Sequence, residues 1–341
     1  MKLKRYRIPL AVLGCLVLIY ICTILGITAI PLGDANRILL HELLHLPVNM
    51  EGISGGSAAI IWNVRLPRVI LGFLTGGALA VCGAAYQGIF KNPMADPYIL
   101  GVSSGAALGA SVGIIFNLGG SVLGLNATAL LAFVGAFAAI FLVYTISRVG
   151  RRVPVATLLL SGIAVSQSFS AFMSLLMIFN VDSMNQVMFW TMGSLNGKGW
   201  SQVAIVLPYV ILGIFILMTS VRELDIMLLG EDTAVQLGVD TERLKRKVLI
   251  SSSIITAAVV SVTGIIGFVG LVVPHVVRLF TGPKHRRLVP LSLVFGGTFL
   301  IICDTLARTL SPMEIPVGII TAAFGGPFFV YLLKKARKGG A

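Results

Sequence analysis

The chain has 341 residues, 57% of them hydrophobic and only 11% charged, against about 25% charged in a soluble domain. With a mean hydropathy of +0.97 it cannot cover a water-facing surface, which excludes a soluble globular fold and makes lipid its solvent. The net charge of +13 is not a nucleic-acid patch either: Lys and Arg stand in short tracts between apolar runs, the pattern of loops held on one face of a membrane.

The chain opens with the basic tract KLKRYR (2–7), then runs apolar from Ile8 to Ile30. That length predicts a membrane-spanning helix. No A-x-A cleavage pattern closes it, so it is expected to be retained rather than removed as a signal peptide. Residues 31–64 are expected to form an outer loop, with a short helix around HELLH (41–45) and a flexible GISGGS (52–57). Spans are then predicted at 66–88, 95–116 and 127–147. From Pro97 to Ser147 there is no Asp, Glu, Lys or Arg, which leaves room for two crossings of about 20 residues each. The polar turn NLGGSVLGLNAT (117–128) separates them. In the first, Gly101, Gly105, Gly109 and Gly113 recur every four residues, a small-residue face that lets two helix backbones approach closely in lipid.

Spans are next predicted at 154–179 and 201–220. Residues 221–246, the longest inner segment, hold six of the thirteen acidic residues: Glu223, Asp225, Glu231, Asp232, Asp240 and Glu242. A connector this long with its own helical pattern is expected to meet a partner. Apolar stretches follow at 247–269, 271–282, 289–308 and 316–333, of which 271–282 is too short to cross and reads as a half-helix. The expected fold is all-α, one transmembrane domain over residues 1–341 with about ten membrane helices.

The distribution of charge orients this bundle. With the N-terminus inside, the inner loops collect KLKRYR, RVGRR (148–152), RLKRK (243–247), KHRR (284–287) and KKARK (334–338), while the outer side keeps only Arg37, Arg65, Arg68, Lys198 and Arg308. The asymmetry predicts both termini in the cytoplasm and an even number of spans. The four cysteines, Cys15, Cys22, Cys82 and Cys303, lie in apolar stretches without C-x-x-C spacing, which points to neither a disulfide framework nor a metal site.

HELLH spells the H-E-x-x-H signature of zinc proteases. Such a site needs a third protein ligand, and the only other histidines are His275 and His285. His285 falls in a basic loop assigned to the opposite side of the membrane. The simpler expectation is an amphipathic surface helix, with Ile38, Leu39, Leu43, Leu44 and Leu46 on its apolar side; a membrane metalloprotease is the distant alternative. GSLNGKGW is not a Walker A loop, since its spacing is short by one and no Ser or Thr follows the Lys. Nucleotide is therefore expected on another chain, and no cofactor, metal site or catalytic residue is predicted. A secondary transporter would need ionisable groups inside its spans, where Asp304 is the one candidate Asp.

Five segments in order resemble the FecCD family of ABC-importer permeases: RLPR (65–68), GGALAVCGAAYQGIFKNPMADPYILGVSSGAALGA (76–110), GEDTAVQLGV (230–239), GFVGLVVPHVVRL (267–279) and PVGIITAAFGGPFFVYLL (316–333). The resemblance runs from about Trp62 to Leu333. It implies a homodimer, or a pseudo-dimer of related chains, with two cytoplasmic ATPases and an extracytoplasmic binding protein. The cargo it implies is a metal chelate: ferric siderophore first, haem or vitamin B12 as alternatives. By the same resemblance Arg65, Arg68 and Arg308 meet acidic residues of the binding protein, with snorkelling, helix capping or an Arg308–Asp304 pair as the structural alternative. Gly230, Glu231, Ala234, Leu237 and Gly238 fall in the segment that seats in the ATPase. Ser161, Ser166, Gln167, Ser170, Met173 and Ser174 are expected along the translocation pathway, or else as hydrogen-bonding groups between helices. Prolines break the chain at KNPMADP (91–97) and GLVVPH (270–275), as discontinuous helices do beside transport pathways.

Overall fold

The computed structural model describes residues 7–122, 125–150, 152–311 and 313–338. Lys2, Lys4, Arg5 and Arg151, counted above on the inner face, lie outside them, as do the side chains of Arg7, Lys335, Arg337 and Lys338. The architecture is helical, with one two-residue antiparallel ladder, Ser121–Val122 with Leu125–Asn126, in the turn predicted at 117–128.

Helix α1 (Arg7–Ile24) leads to α2 (Leu32–Leu44) and the short α3 (Gly55–Ala59). Ser54 starts α3 by accepting a hydrogen bond from the Ser57 backbone N–H at 3.1 Å. The chain then passes through a π-helical turn, Ile60–Arg65, into α4 (Leu66–Ile89) without a break. Residues 55–89 thus form one 35-residue apolar helix, and the predicted flexible loop ends ten residues before its expected limit. Arg65 is the last residue of the π turn, and Arg68 lies in the first turn of α4.

A 3-10 turn, Pro97–Leu100, precedes α5 (Val102–Ile115), and the two hinge at Gly101 with φ +80°. Asn126 caps α6 (Ala127–Ser147) by accepting from the Ala129 N–H at 2.9 Å. The glycine face predicted on α5 packs against α6: a Cβ at Gly105 would stand 2.3 Å from Gly135 O, and one at Gly109 2.0 Å from Leu131 O. Gly101 is the exception, serving as a left-handed hinge instead of a packing surface. The same device joins α4 to α14, where a Cβ at Gly76 would meet Gly296 O at 2.2 Å.

Next come α7 (Val155–Phe179), α8 (Met184–Thr191), α9 (Trp200–Thr219), α10 (Val221–Met227) and α11 (Glu231–Gln236). Helix α12 (Thr241–Thr263) ends at Gly264, φ +72°, six residues short of the predicted limit. Residues 264–268 are non-helical, and α13 (Val269–Thr281), the expected half-helix, begins after Phe268 at φ +69°. Helices α14 (His285–Thr309) and α15 (Val317–Lys338) complete the chain.

Among the described residues, six helices have the length and apolarity to cross a membrane. The four other predicted spans fall on the shorter apolar helices Pro9–Ile24, Val102–Ile115, Val269–Thr281 and Val317–Leu332. At 1.5 Å per residue a 14-residue α5 covers about 21 Å of a hydrocarbon core about 30 Å thick, so ten complete crossings remain an expectation. The core is centred on α4, α12 and α14, whose side chains are mostly buried, whereas α7 is mostly exposed.

Candidate functional site

At one end of the bundle the three arginines come together, but not on the surface. Arg65, Arg68 and Arg308 are each only 5% exposed. Helix α1 ends there, leaving its last carbonyls without intrahelical donors. Arg65 donates to Ile24 O at 2.7 Å and Thr28 O at 2.5 Å. Arg308 donates to Leu25 O at 2.7 Å and to Cys22 O. Two guanidinium groups thus cap one helix C-terminus, where a cation also suits the helix dipole. Arg68 instead forms a two-pronged pair with Asp304, Nε–Oδ2 3.0 Å and Nη2–Oδ1 2.9 Å, and reaches Glu314 Oε2 at 2.9 Å.

The arginines expected to meet the binding protein are thus largely engaged within the chain, as a buried guanidinium must find hydrogen-bond partners; Arg308 Nε alone of their buried nitrogens has no hydrogen-bond acceptor among the described residues. Capping, named as the structural alternative, describes Arg65 and Arg308. Asp304 is shared differently from the expected pair: Arg308 Nε lies 3.8 Å from it and Arg68 holds it closely. Glu314 was missed; its only sequence signal was an acid in an outer loop on the side that carries unexplained arginines. The three arginines and Glu314 nevertheless line a cleft of about 320 Å³, with Gly26, Thr28 and Val64 on its walls.

The opposite end holds the acidic segment. Gly230 at φ +129° starts α11 and Gly238 at φ +83° ends it, conformations that favour glycine. Glu231 pairs with Lys245 Nζ at 2.5 Å, and Glu242 joins the same lysine at 3.1 Å. Glu242 also accepts from the Val153 N–H at 2.9 Å, tying the segment to the loop before α7. Ala234, expected to touch a partner, is fully buried and packs inward instead. Leu237 is 59% exposed as expected, and Leu229 and Val235, which were not singled out, stand exposed beside it. In α10, Asp225 accepts from the His285 backbone N–H at 2.5 Å and lies 3.0 Å from its Nδ1. His285 is fully buried, although its basic surroundings pointed to an exposed loop.

The expected pathway residues on α7 divide. Ser161 is buried, and Ser166 faces Gly101. Gln167, Ser170 and Ser174 lie within about 60° of one another at 100° per residue, on a side of the helix that α5 and α6 leave uncovered; Gln167 and Ser174 are exposed and Ser170 partly so. Met173, partly covered, lies about 20° from Ser166 on the same helical wheel. The two proline-broken segments meet: Gln87 Nε2 donates to Ala95 O at 3.3 Å and Leu271 O at 3.1 Å, and Tyr98 OH to Ile266 O at 3.1 Å.

HELLH belongs to α2, whose Ala35 and Ile38 pack with Ile30 and Ile61 while Leu43 and Leu44 are exposed. His45 is the left-handed C-cap of this helix at φ +50°, not a turn-mate of His41 on one regular face. Among the described residues no His, Cys, Asp or Glu group of three or more is placed to hold a metal ion.

A bundle of long apolar helices with an ionic cluster at one end and an anchored surface segment at the other has the form of a polytopic membrane protein. The chain belongs to the FecCD transport family, whose model matches residues 14–335. It is 47% identical over 283 residues to a cobalamin import system permease protein of Halobacterium salinarum, covering 83% of this chain and 75% of that one. It is 42% identical over 288 residues to the hemin transport system permease protein of Yersinia pestis, covering 82% and 84%. It also matches a solved structure of a metal-chelate type ABC transporter in an inward-facing conformation, with TM-score 0.80, 31% identity and coverage of 96% and 99%. The chain is therefore a permease subunit of an ABC importer.

Proposed function

We propose that this permease carries a metal chelate across the cytoplasmic membrane by alternating access, as a dimer of two copies, with both termini in the cytoplasm. Two ABC ATPases bind beneath it and hydrolyse the nucleotide; an extracytoplasmic protein delivers the cargo. The observation that carries this reading is the anchored inner segment. Buried Ala234 and the Glu231–Lys245 pair fix α11 to α12, while Leu229, Val235 and Leu237 stay exposed. Exposed apolar side chains on and flanking a short anchored helix fit a groove on a partner, and the rigid attachment passes the partner's movement into α12.

The arginine cleft supports docking of a different kind from displayed charges. Three guanidinium groups face two carboxylates, Asp304 and Glu314, which leaves one positive charge to be met by an acidic side chain reaching in. Such a pair orients docking more than it strengthens it. Ferric siderophore is the cargo of first choice by family role. A second reading, a cobalamin, is favoured by the 47% identity to the cobalamin permease.

Co-purification of the permease with its cognate ATPase tests the inner site. Leu237→Asp should reduce the association at least about tenfold, since it places a charge in an apolar contact, without changing the melting temperature of the permease alone. Unchanged association would refute the coupling assignment. Competition among ferric siderophore, haem and cyanocobalamin for uptake into proteoliposomes holding the complete complex would separate the cargoes.

A further inference from the structure

The five basic residues assigned to the outer side do not all have partners. Arg37 pairs with Asp34 at 3.6 Å, and Arg65, Arg68 and Arg308 are engaged as described. Among the described residues, Lys198 alone of the five has neither an acidic nor a hydrogen-bonding partner for its ammonium group. It lies in the loop before α9 and lines a cavity of about 590 Å³ with Asn126, Thr128, Gln186, Trp190 and Gln202. Among the described residues no Asp or Glu lines this cavity. Burial lowers the Lys198 pKa, so the ammonium is partly stripped of water without a counter-charge, an arrangement that costs free energy until an anion supplies one.

The surroundings add to the positive potential. The first turns of α6 and α9 both contribute to the wall, through Thr128 and Ala129 in one and Gln202 in the other. Both helices are at least 20 residues long, and their N-termini carry partial positive charge. Apart from Ser261, the rest of the wall is apolar, with Ile114, Phe189, Ile205 and Val262. Further along the two helices, Phe137 and Phe141 of α6 and Ile211 and Phe215 of α9 are exposed, a surface suited to hydrocarbon. A polar, positive recess with an apolar rim and an apolar track leading away has the form of a phospholipid site.

We propose that this cavity binds a phosphate group, with Lys198 Nζ as its counter-charge and the amides of Gln186 and Gln202 and the hydroxyl of Thr128 as neighbouring polar groups. Nothing in the importer reading requires it, since it lies apart from both the arginine cleft and the inner segment. Two sources share the chemistry, an anionic phospholipid and inorganic phosphate.

The test uses the full-length permease purified in detergent, delipidated, and titrated in parallel with dioleoylphosphatidylglycerol, dioleoylphosphatidylcholine and inorganic phosphate. Intrinsic tryptophan fluorescence, to which Trp190 in the wall contributes beside Trp62 and Trp200, and melting temperature report binding. Phosphatidylglycerol should saturate both signals; Lys198→Gln should weaken that binding roughly tenfold or more, the loss expected for a charged hydrogen-bonding partner; and Lys198→Arg should retain most of it. Saturation by inorganic phosphate alone would identify the free ion as the ligand and keep the site. If Lys198→Gln binds phosphatidylglycerol as wild type does and keeps a wild-type melting temperature without lipid, the proposal fails. It fails equally if neither phosphate source changes the wild-type signals.

Discussion

Asp304 shows how one side chain can set the meaning of several others. It is 1% exposed, and Arg68 meets it with two nitrogens within 3.1 Å. Removing one partner of a buried pair strands the other charge, which costs more than the pair contributes. Asp304→Ala should therefore destabilise the permease by about 3–5 kcal/mol, measured as unfolding of the detergent-solubilised protein. Glu314→Gln should cost much less, because its side chain is 29% exposed and water can replace it. Equal losses in the two variants would contradict the assignment of Asp304 as the anchor. Arg65 and Arg308 belong to the same logic: they act first on the carbonyls of α1, and whatever docking follows takes place on a cluster already held together.

At the scale of elements, α14 joins the two ends of the molecule. Its first residue is gripped by Asp225 of α10, and its last turn holds Asp304 and Arg308. Between them it packs on α4 closely enough that Gly76 and Gly296 leave no room for a methyl group. Gly76→Ala should thus lower the melting temperature, with a cost of about 1–3 kcal/mol for overpacking. Gly14→Ala in α1, where a Cβ meets nothing within 4 Å, is the matched control and should be neutral or slightly stabilising. Asp225→Ala removes the link between the inner segment and α14. In proteoliposomes with ATPase and binding protein, it should leave basal ATP hydrolysis in place and reduce its stimulation by cargo-loaded binding protein several-fold; full stimulation would show that α14 does not transmit the signal.

For the whole molecule, the exposed polar stripe on α7 is the clearest sign of an incomplete structure. An amide such as Gln167 is costly to leave against lipid; in the dimer we propose, it would face the translocation pathway between the two copies instead. Cysteine cross-linking checks this with low background, because Cys15, Cys22, Cys82 and Cys303 are all buried. Gln167→Cys and Ser174→Cys should give disulfide-linked dimers under mild oxidation in membranes, and Ser161→Cys, on the buried face, should not. Cross-linking from Ser161→Cys but not from Gln167→Cys would place the dimer contact elsewhere.

Composition and order along the chain were enough to establish a helical membrane protein, its family, the half-helix near 271–282 and the close glycine contact of α5, since apolar length, charge-free runs and small-residue spacing act through neighbours in sequence. Gly230 and Gly238 were legible for the same reason: a turn needs positive φ locally. Burial was not legible. Ala234 turned inward, Leu229 and Val235 outward, and three arginines that look exposed by charge counting became caps and ion pairs. Their partners, Ile24 for Arg65, Asp304 and Glu314 for Arg68, and Asp225 for His285, lie 41, 236, 246 and 60 residues away. Only folding brings such groups together, and a charge takes its role from whichever opposite charge or free carbonyl the tertiary packing sets beside it.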